Sequence, residues 1–152
     1  MRFIDTIKSR NGKPIDFEKI EGRIKKAVKE FNVALFYIYG SYAFDKASKL
    51  SDLDAAFFSR KMMPFNKQHI FIQKLQDIFE EEAIDLVDLN RVPLTLIHRI
   101  LKEGKCLYAK SLSDRIEFET KCENLYLDAE PLRREYERAL IRRIEDGSFG
   151  HR

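Results

Sequence analysis

Two aspartates separated by one leucine, Asp52 and Asp54, are the residues of this sequence whose types and spacing could do chemistry. In an extended strand, side chains at i and i+2 point to the same face, so we expect both carboxylates to project together while Leu53 enters the core. Two carboxylates this close repel each other, and a divalent cation relieves that repulsion. Because hard oxygen ligands favour Mg²⁺ or Mn²⁺, the pair predicts a metal site.

A glycine and a serine come ahead of this pair, at Gly40 and Ser41, with ten residues between Ser41 and Asp52. Glycine lets a backbone approach a bulky anion closely. Exposed N–H groups at the start of a helix, together with the Ser41 hydroxyl, can then hold a phosphate. The sequence therefore predicts phosphate donors beside a metal-binding pair, an arrangement that suits a nucleoside triphosphate with its metal.

A third acid is available in the apolar run 83–89, which contains Asp85 and Asp88. The two differ by three positions, so in a regular strand they face opposite sides and only one of them can join the pair. Asp85 is the better candidate, because it lies inside the apolar run, where an unpartnered acid has a high desolvation cost. Asp88 lies near the strand end, where it could be solvated or cap the following turn, and a structural hydrogen bond suits it better than a metal contact. With Asp85 included, the site could hold two metal ions about 3.5–4 Å apart, as used for in-line displacement at phosphorus.

The elements that must position these residues follow from hydrophobic periodicity. Short apolar, β-prone runs predict strands, and apolar residues at helical spacing predict helices. Pro93 can open one of the helices, and Gly104 closes it in the favoured C′ position. The last helix carries apolar residues at four-residue spacing. The predicted strands are 33–39, 52–58, 83–89 and 105–108, and the predicted helices are 16–31, 64–82, 93–104, 112–126 and 131–145. This order predicts an α+β fold: a small mixed β-sheet with helices covering one side, followed by C-terminal helices.

Length and composition narrow the function classes. A chain of 152 residues suits one domain, 1–152, with a core at about 16–110 and C-terminal helices at about 111–146. The net charge of +3 is small and the two signs are interspersed, so direct nucleic-acid binding is not expected. Two cysteines outside any C-x-x-C pair exclude a disulfide framework and argue against structural zinc. Neither a signal peptide nor an apolar run of roughly 18 residues is present, so we expect a cytoplasmic protein without a membrane span.

The spacing Gly-Ser, ten residues, Asp-x-Asp at positions 40–54 resembles that of the polymerase-beta-type nucleotidyltransferase superfamily, and the short length resembles its minimal nucleotidyltransferase branch. The stretch IDLVDLNRVPLTLIHRILKEGKCLYAKS, at positions 84–111, is similar to one subgroup of that branch. That subgroup contains antitoxin adenylyltransferases encoded beside HEPN-domain toxins. The resemblance runs from roughly position 20 to the low 130s.

The resemblance implies transfer of AMP from Mg-ATP, with release of pyrophosphate. By position, Asp52 and Asp54 would bind Mg²⁺, for which Mn²⁺ could substitute, and Asp85 would be the third metal ligand and the base that activates the acceptor. Gly40, Ser41 and Ser51 would hold the nucleotide. In this subgroup the acceptor is a tyrosine of the partner toxin, an RNase that the modification silences, so the implied partner is a HEPN-domain toxin.

One departure from the family pattern concerns Phe44-Asp45, which stand where related chains often have Arg-Gly. Lys46 or Lys49 could compensate for the missing arginine. Two alternatives stay open. The same metal site would serve nucleotidyl transfer to a small hydroxylated molecule, although such enzymes usually need a substantial further domain for the acceptor. The chain could also be a non-catalytic antitoxin that works by binding alone.

Overall fold

A computed structural model gives the structure of the chain over residues 7–8, 14–40 and 52–148. Each predicted strand and helix is present, with ends within three residues of those predicted. The elements in chain order are β1 (Ile7–Lys8), β2 (Pro14–Ile15), α1 (Phe17–Glu30), β3 (Leu35–Tyr39), β4 (Leu53–Phe58), α2 (Phe65–Phe79), β5 (Ile84–Asp88), α3 (Leu94–Glu103), β6 (Lys105–Ala109), α4 (Leu112–Asp128) and α5 (Glu130–Glu145).

Four of the strands form one mixed sheet in the order β5-β4-β3-β6. Strand β3 is antiparallel to both of its neighbours, whereas β4 and β5 are parallel. The parallel pair is joined by α2, as a parallel connection requires a crossover. The prediction of an α+β fold with a small mixed sheet is confirmed.

Helices cover both faces of the sheet rather than the one face that we expected. Side chains alternate along β3, so Phe36 and Ile38 pack into one apolar cluster while Leu35 and Tyr37 pack into another. Helices α1 and α2 complete the first cluster, and α3 and α4 complete the second. The sequence of β3 is consistent with this, because the strand is apolar at every position, as expected for a strand that is buried on both faces.

The helix α3 begins and ends where Pro93 and Gly104 predict, but Gly104 acts for a different reason than the one we proposed. Its backbone is extended, with φ of −81°, so the left-handed conformation typical of a C′ glycine is not used. A Cβ at Gly104 would lie 2.5 Å from the Ile100 carbonyl oxygen and 3.3 Å from the Cβ of Tyr39. Gly104 is therefore needed for the close approach of α3 to the end of β3.

The two C-terminal helices differ in how they pack. Helix α4 is fixed to the sheet by Cys122, which is buried, and by Tyr37, whose hydroxyl donates to Glu119 Oε1 at 2.9 Å. Helix α5 has no buried residue. Three of its regularly spaced apolar side chains are exposed, namely Leu132, Tyr136 and Ile144. The apolar face of α5 therefore faces solvent, although its spacing is that of a packed helix.

Two features complete the fold. The strands β1 and β2, which we did not predict, form a separate antiparallel pair in which Ile7 is opposite Ile15.

In the described part of the chain, every helix is too short or too polar to cross a membrane.

Candidate active site

One row of residues crosses three strands at the end of the sheet. Asp54 of β4 is paired with Tyr39 of β3 on one side and with Asp85 of β5 on the other. Paired residues on neighbouring strands point to the same face, and strands lie about 4.8 Å apart. The carboxylates of Asp54 and Asp85 are therefore direct neighbours, on the face of the sheet that α3 covers.

Gly40 follows Tyr39 and closes this row from the β3 side. Its φ is +70°, in the left-handed region that favours glycine. A Cβ at this position would overlap Asp54 Oδ2. The prediction was that the glycine admits an anion closely. The structure places the backbone of Gly40 directly against the Asp54 carboxylate, and its contact with a phosphate stays a prediction.

The acids of the row act on one another electrostatically. Burial raises the pKa of Asp54, and the charges of Asp85 and Asp52 raise it further, whereas Arg99 opposes the shift. Leu53 is fully buried on the other face of the sheet, as predicted. Asp52 thus acts on the same carboxylate as Asp85 does, from a position just before β4.

Tyr39 shares the same environment. Burial and the charges of Asp54 and Asp85 raise the pKa of its phenol to about 12, and Arg99 again acts in the opposite direction. The hydroxyl is therefore protonated at neutral pH and can donate a hydrogen bond.

The predicted metal site can be compared with the arrangement of the acids in the row. Among residues 7–8, 14–40 and 52–148, no three acidic, histidine or cysteine side chains are arranged to enclose a metal ion. Asp54 and Asp85 are nevertheless neighbours, and their repulsion, with that of Asp52, is the kind that a divalent cation relieves. The oxygen donors fit such an ion, and the three-ligand set of Asp52, Asp54 and Asp85 stays a prediction.

The reasoning that separated Asp85 from Asp88 was wrong about burial. Asp85 is exposed, whereas Asp88 is only 4% exposed. Asp88 accepts the backbone N–H of Asn90 at 2.9 Å and pairs with Arg91 Nε at 3.1 Å. Asp88 therefore makes structural hydrogen bonds at the turn after β5, as we expected, but it is not solvated. Asp85 is next to Asp54 because of the strand register, not because of any desolvation.

Several predicted residues lie outside the part of the chain that the structure describes. Ser41 and Ser51, predicted to hold the nucleotide, are among them, as are Phe44-Asp45, Lys46 and Lys49.

Arg99 is described, and its electrostatic effect on Asp54 and Tyr39 was not predicted from the sequence. The sequence carries no signal for it, because helical spacing turns Arg99 away from the face of α3 that Ile97 and Ile100 bury.

Comparison with protein-family models defines the class of protein. Residues 21–113 match the model described as polymerase beta, nucleotidyltransferase. The match covers more than half of the chain and all of β3, β4 and β5, which carry the row. The chain belongs to the polymerase-beta nucleotidyltransferase family, and it is a nucleotidyltransferase.

Solved structures with the same fold include chains of toxin–antitoxin complexes. A chain from a toxin–antitoxin complex with AMP-PNP has 24% identity and a TM-score of 0.68, and the match covers 80% of this chain and 98% of that one. A chain from the Shewanella oneidensis complex of a tri-AMPylated HEPN toxin with MNT antitoxin has 22% identity and a TM-score of 0.65, with 82% and 98% covered. A chain from a MntA–HepT toxin–antitoxin structure has 21% identity and a TM-score of 0.63, with the same coverage. Curated proteins gave no match. The resemblance stated from the sequence is confirmed at the level of family and fold.

Proposed function

We propose that this chain is an antitoxin that transfers AMP from Mg-ATP to a tyrosine hydroxyl of a cognate HEPN-domain RNase toxin. The observation that carries the proposal is the row in which Asp54 lies between Tyr39 and Asp85, within a nucleotidyltransferase fold. The solved complexes with this fold support the partner class, because they contain toxins and one of those toxins is tri-AMPylated. The complex with AMP-PNP supports ATP as the donor.

In this proposal Asp52 and Asp54 bind the metal ion, and Asp85 is the third ligand. When bound, Mg²⁺ or Mn²⁺ supplies positive charge that offsets the phosphate charge as it shifts during transfer. Asp54 is suited to this role because its carboxylate is partly buried and is held against Gly40. The raised pKa of Asp54 reflects the same crowding of negative charge, which a bound cation reverses.

Asp85 also takes the proton from the acceptor. Its side chain is exposed, so a hydroxyl carried by a macromolecule can reach it from solvent. The tyrosine oxygen forms a bond to the α-phosphorus of ATP, and the bond from that phosphorus to the oxygen bridging to the β-phosphate breaks. Pyrophosphate leaves with the electron pair, and the proton goes to Asp85. Gly40, Ser41 and Ser51 hold the nucleotide during this step.

The surroundings of the row fit an acceptor that brings its own binding surface. In the described part of the chain, the sheet, α3 and the turn at Gly40 surround the row, and the exposed Asp85 leaves it open on the β5 side. A small hydroxylated acceptor would need further protein surface to hold it, whereas a folded toxin does not. ATP and such a toxin would meet the chain in the cytoplasm.

The proposal is tested by incubating the chain with the toxin encoded by the neighbouring gene, Mg²⁺ and ATP labelled on the α-phosphate. We expect label on a toxin tyrosine and loss of RNase activity. An Asp52→Ala/Asp54→Ala double variant should transfer at least about a thousandfold less AMP, because it lacks the groups that gather positive charge at the site. Toxin neutralisation that persists in this variant without any AMP adduct would favour an antitoxin that works by binding alone.

A further inference from the structure

Helix α5 is held to the rest of the chain near its first turn. The guanidinium carbon of Arg133 lies 3.7 Å from the centre of the Tyr126 ring, and its Nη1 donates to the Tyr126 carbonyl oxygen at 2.6 Å. The Tyr126 ring is stacked in turn on His98 of α3, with the ring centroids 3.6 Å apart and the planes 2° from parallel. This stack joins α3, α4 and α5, and it fixes the start of α5 relative to α4.

Along its length, α5 carries an apolar face that the described part of the chain does not bury. The face consists of four side chains at four-residue spacing: Leu132, Tyr136, Leu140 and Ile144. Leu132 and Tyr136 are 70% and 69% exposed. A helix of 16 residues is marginal in water by itself, and most helices are stabilised by packing such a face. The apolar face of α5 therefore has the character of a surface that a partner covers.

The arginines on this face disfavour a second copy of the chain as that partner. At about 100° per residue, Arg133 and Arg143 fall on the same side of α5 as the apolar face. An antiparallel pair of α5 helices that sets Leu132 against Ile144 would also set Arg133 against Arg143. A parallel pair would set each arginine against its own copy. Like charges would face each other in both arrangements, which opposes association.

A partner with carboxylates at its surface suits the same face. In the described part of the chain, the Arg143 guanidinium takes part in no ion pair, so it is available to an acidic group. Hydrogen bonds between a guanidinium and a carboxylate are among the strong ones. Tyrosine and arginine are also the residue types that most often dominate the affinity of protein interfaces. The face thus combines apolar area, a tyrosine and a free positive charge.

We propose that the apolar face of α5 is the docking surface for the toxin, which receives it in an apolar groove flanked by carboxylates. The inference rests on the proposed function and adds where the acceptor protein is bound. An amphipathic helix that lays its apolar face into a groove is a recurring mode of recognition. Because the stack at Tyr126 fixes the start of α5 beforehand, less order has to be imposed on binding.

The test measures the affinity of the full chain for the toxin encoded by the neighbouring gene, by calorimetry without ATP. In Leu132→Ala we expect binding at least about tenfold weaker, and in Tyr136→Ala about thirtyfold weaker, as for residues at the centre of an interface. Ile141→Ala is the matched control for Leu132→Ala. It removes the same number of carbon atoms from a side chain that is 53% exposed and lies nine residues further along, on the opposite side of α5. Its affinity should stay within about twofold of the starting chain.

A second pair of variants tests the charge. Arg143→Gln should weaken toxin binding about tenfold, as for the loss of a charge-assisted hydrogen bond. Arg138→Gln removes the same charge from a residue of α5 that points away from the apolar face, and its affinity should change by less than about twofold. Circular dichroism should show unchanged helix content and an unchanged thermal unfolding midpoint in every variant, because all the replaced side chains are exposed.

Three results would overturn the inference. The first is unchanged toxin affinity in both Leu132→Ala and Tyr136→Ala. The second is an equal loss in Leu132→Ala and Ile141→Ala, which would indicate a general weakening of α5. The third is a starting chain that sediments as a dimer and becomes a monomer in Leu132→Ala with toxin affinity intact, since a second copy would then cover the face. A starting chain that binds no toxin would instead contradict the proposed function.

Discussion

The row at Asp54 and the C-terminal helix α5 both show a regular pattern in the sequence, yet the structure treats them in opposite ways. In the row, spacing and placement agree, because strand pairing sets Tyr39, Asp54 and Asp85 side by side. In α5, apolar residues recur every four positions, but Tyr136, in the middle of this apolar face, is 69% exposed. A repeat in sequence thus fixes which side chains share a face, whereas what covers that face depends on the rest of the molecule.

The largest difference in the free energy of unfolding is expected between alanine variants at Phe71 and at Tyr136. Phe71 is fully buried, and its ring centroid lies 5.0 Å from that of Phe31 and 5.7 Å from that of Phe57. Phe71→Ala should lower the free energy of unfolding by about 3–5 kcal/mol, because it leaves a cavity under the sheet. Tyr136→Ala should change it by less than about 0.5 kcal/mol. Chemical denaturation of both variants measures the difference, and a comparable loss in Tyr136→Ala would mean that α5 packs on the rest of the chain.

The next largest difference in stability is expected between variants of Asp88 and Asp85, the two acids of β5. Asp88→Ala leaves Arg91 Nε, the Asn90 N–H and Gln68 Nε2 without the buried acceptor that they share, and breaking such a pair costs about 3 kcal/mol. Asp85→Ala, from the same strand, should leave stability unchanged while AMP transfer is lost. Urea titrations together with the labelled-ATP assay test both statements. If Asp85→Ala proved as destabilising as Asp88→Ala, Asp85 would be a structural residue.

Gly40 should be more sensitive than another glycine with the same backbone conformation. Gly40→Ala forces a left-handed alanine and a Cβ that overlaps the Asp54 carboxylate, so we expect a loss of about 2 kcal/mol and reduced transfer. Gly147 has φ of +73° but open space around its missing Cβ. Gly147→Ala should therefore cost no more than about 1 kcal/mol and should leave transfer intact. Equal effects of the two substitutions would remove the argument that Gly40 makes room for Asp54.

The smallest expected effect is a gain in the stability of the folded chain when Asp54 is replaced. Burial and the charges of Asp85 and Asp52 raise the pKa of Asp54 above its ordinary value of 3.8, so ionising this group in the folded state costs stability. Asp54→Asn should therefore stabilise the apo chain at neutral pH, by less than about 1 kcal/mol because the group is partly exposed.

The sign of this gain follows from the direction of the shift. The native state holds the Asp54 proton more tightly than the unfolded chain, so the penalty is complete above the raised pKa and vanishes as the pH falls to about 3.8. The stability difference between Asp54→Asn and the starting chain should therefore shrink as the pH falls. A gain that grew on acidification would contradict the crowding of charge in the row.

The fold was largely predictable, because its elements depend on local periodicity and its strands are short apolar runs. The site was predictable where a motif spans few residues, as at Asp52 and Asp54. The burial of Asp88 and the electrostatic effect of Arg99 on Asp54 were not, since both depend on which elements pack together after folding. The exposure of α5 was hidden for the same reason: apolar spacing alone does not reveal the partner of a helix face.

The central claim is that the carboxylates of the row gather a divalent cation with the nucleotide, and anomalous diffraction tests it most directly. Crystals of the chain would be soaked with Mn²⁺ and AMP-PNP, and an anomalous difference map would locate the metal. We expect a peak within about 2.5 Å of carboxylate oxygens of Asp54 and Asp85. A well-bound nucleotide without such a peak, or with manganese only at other residues, would contradict the account.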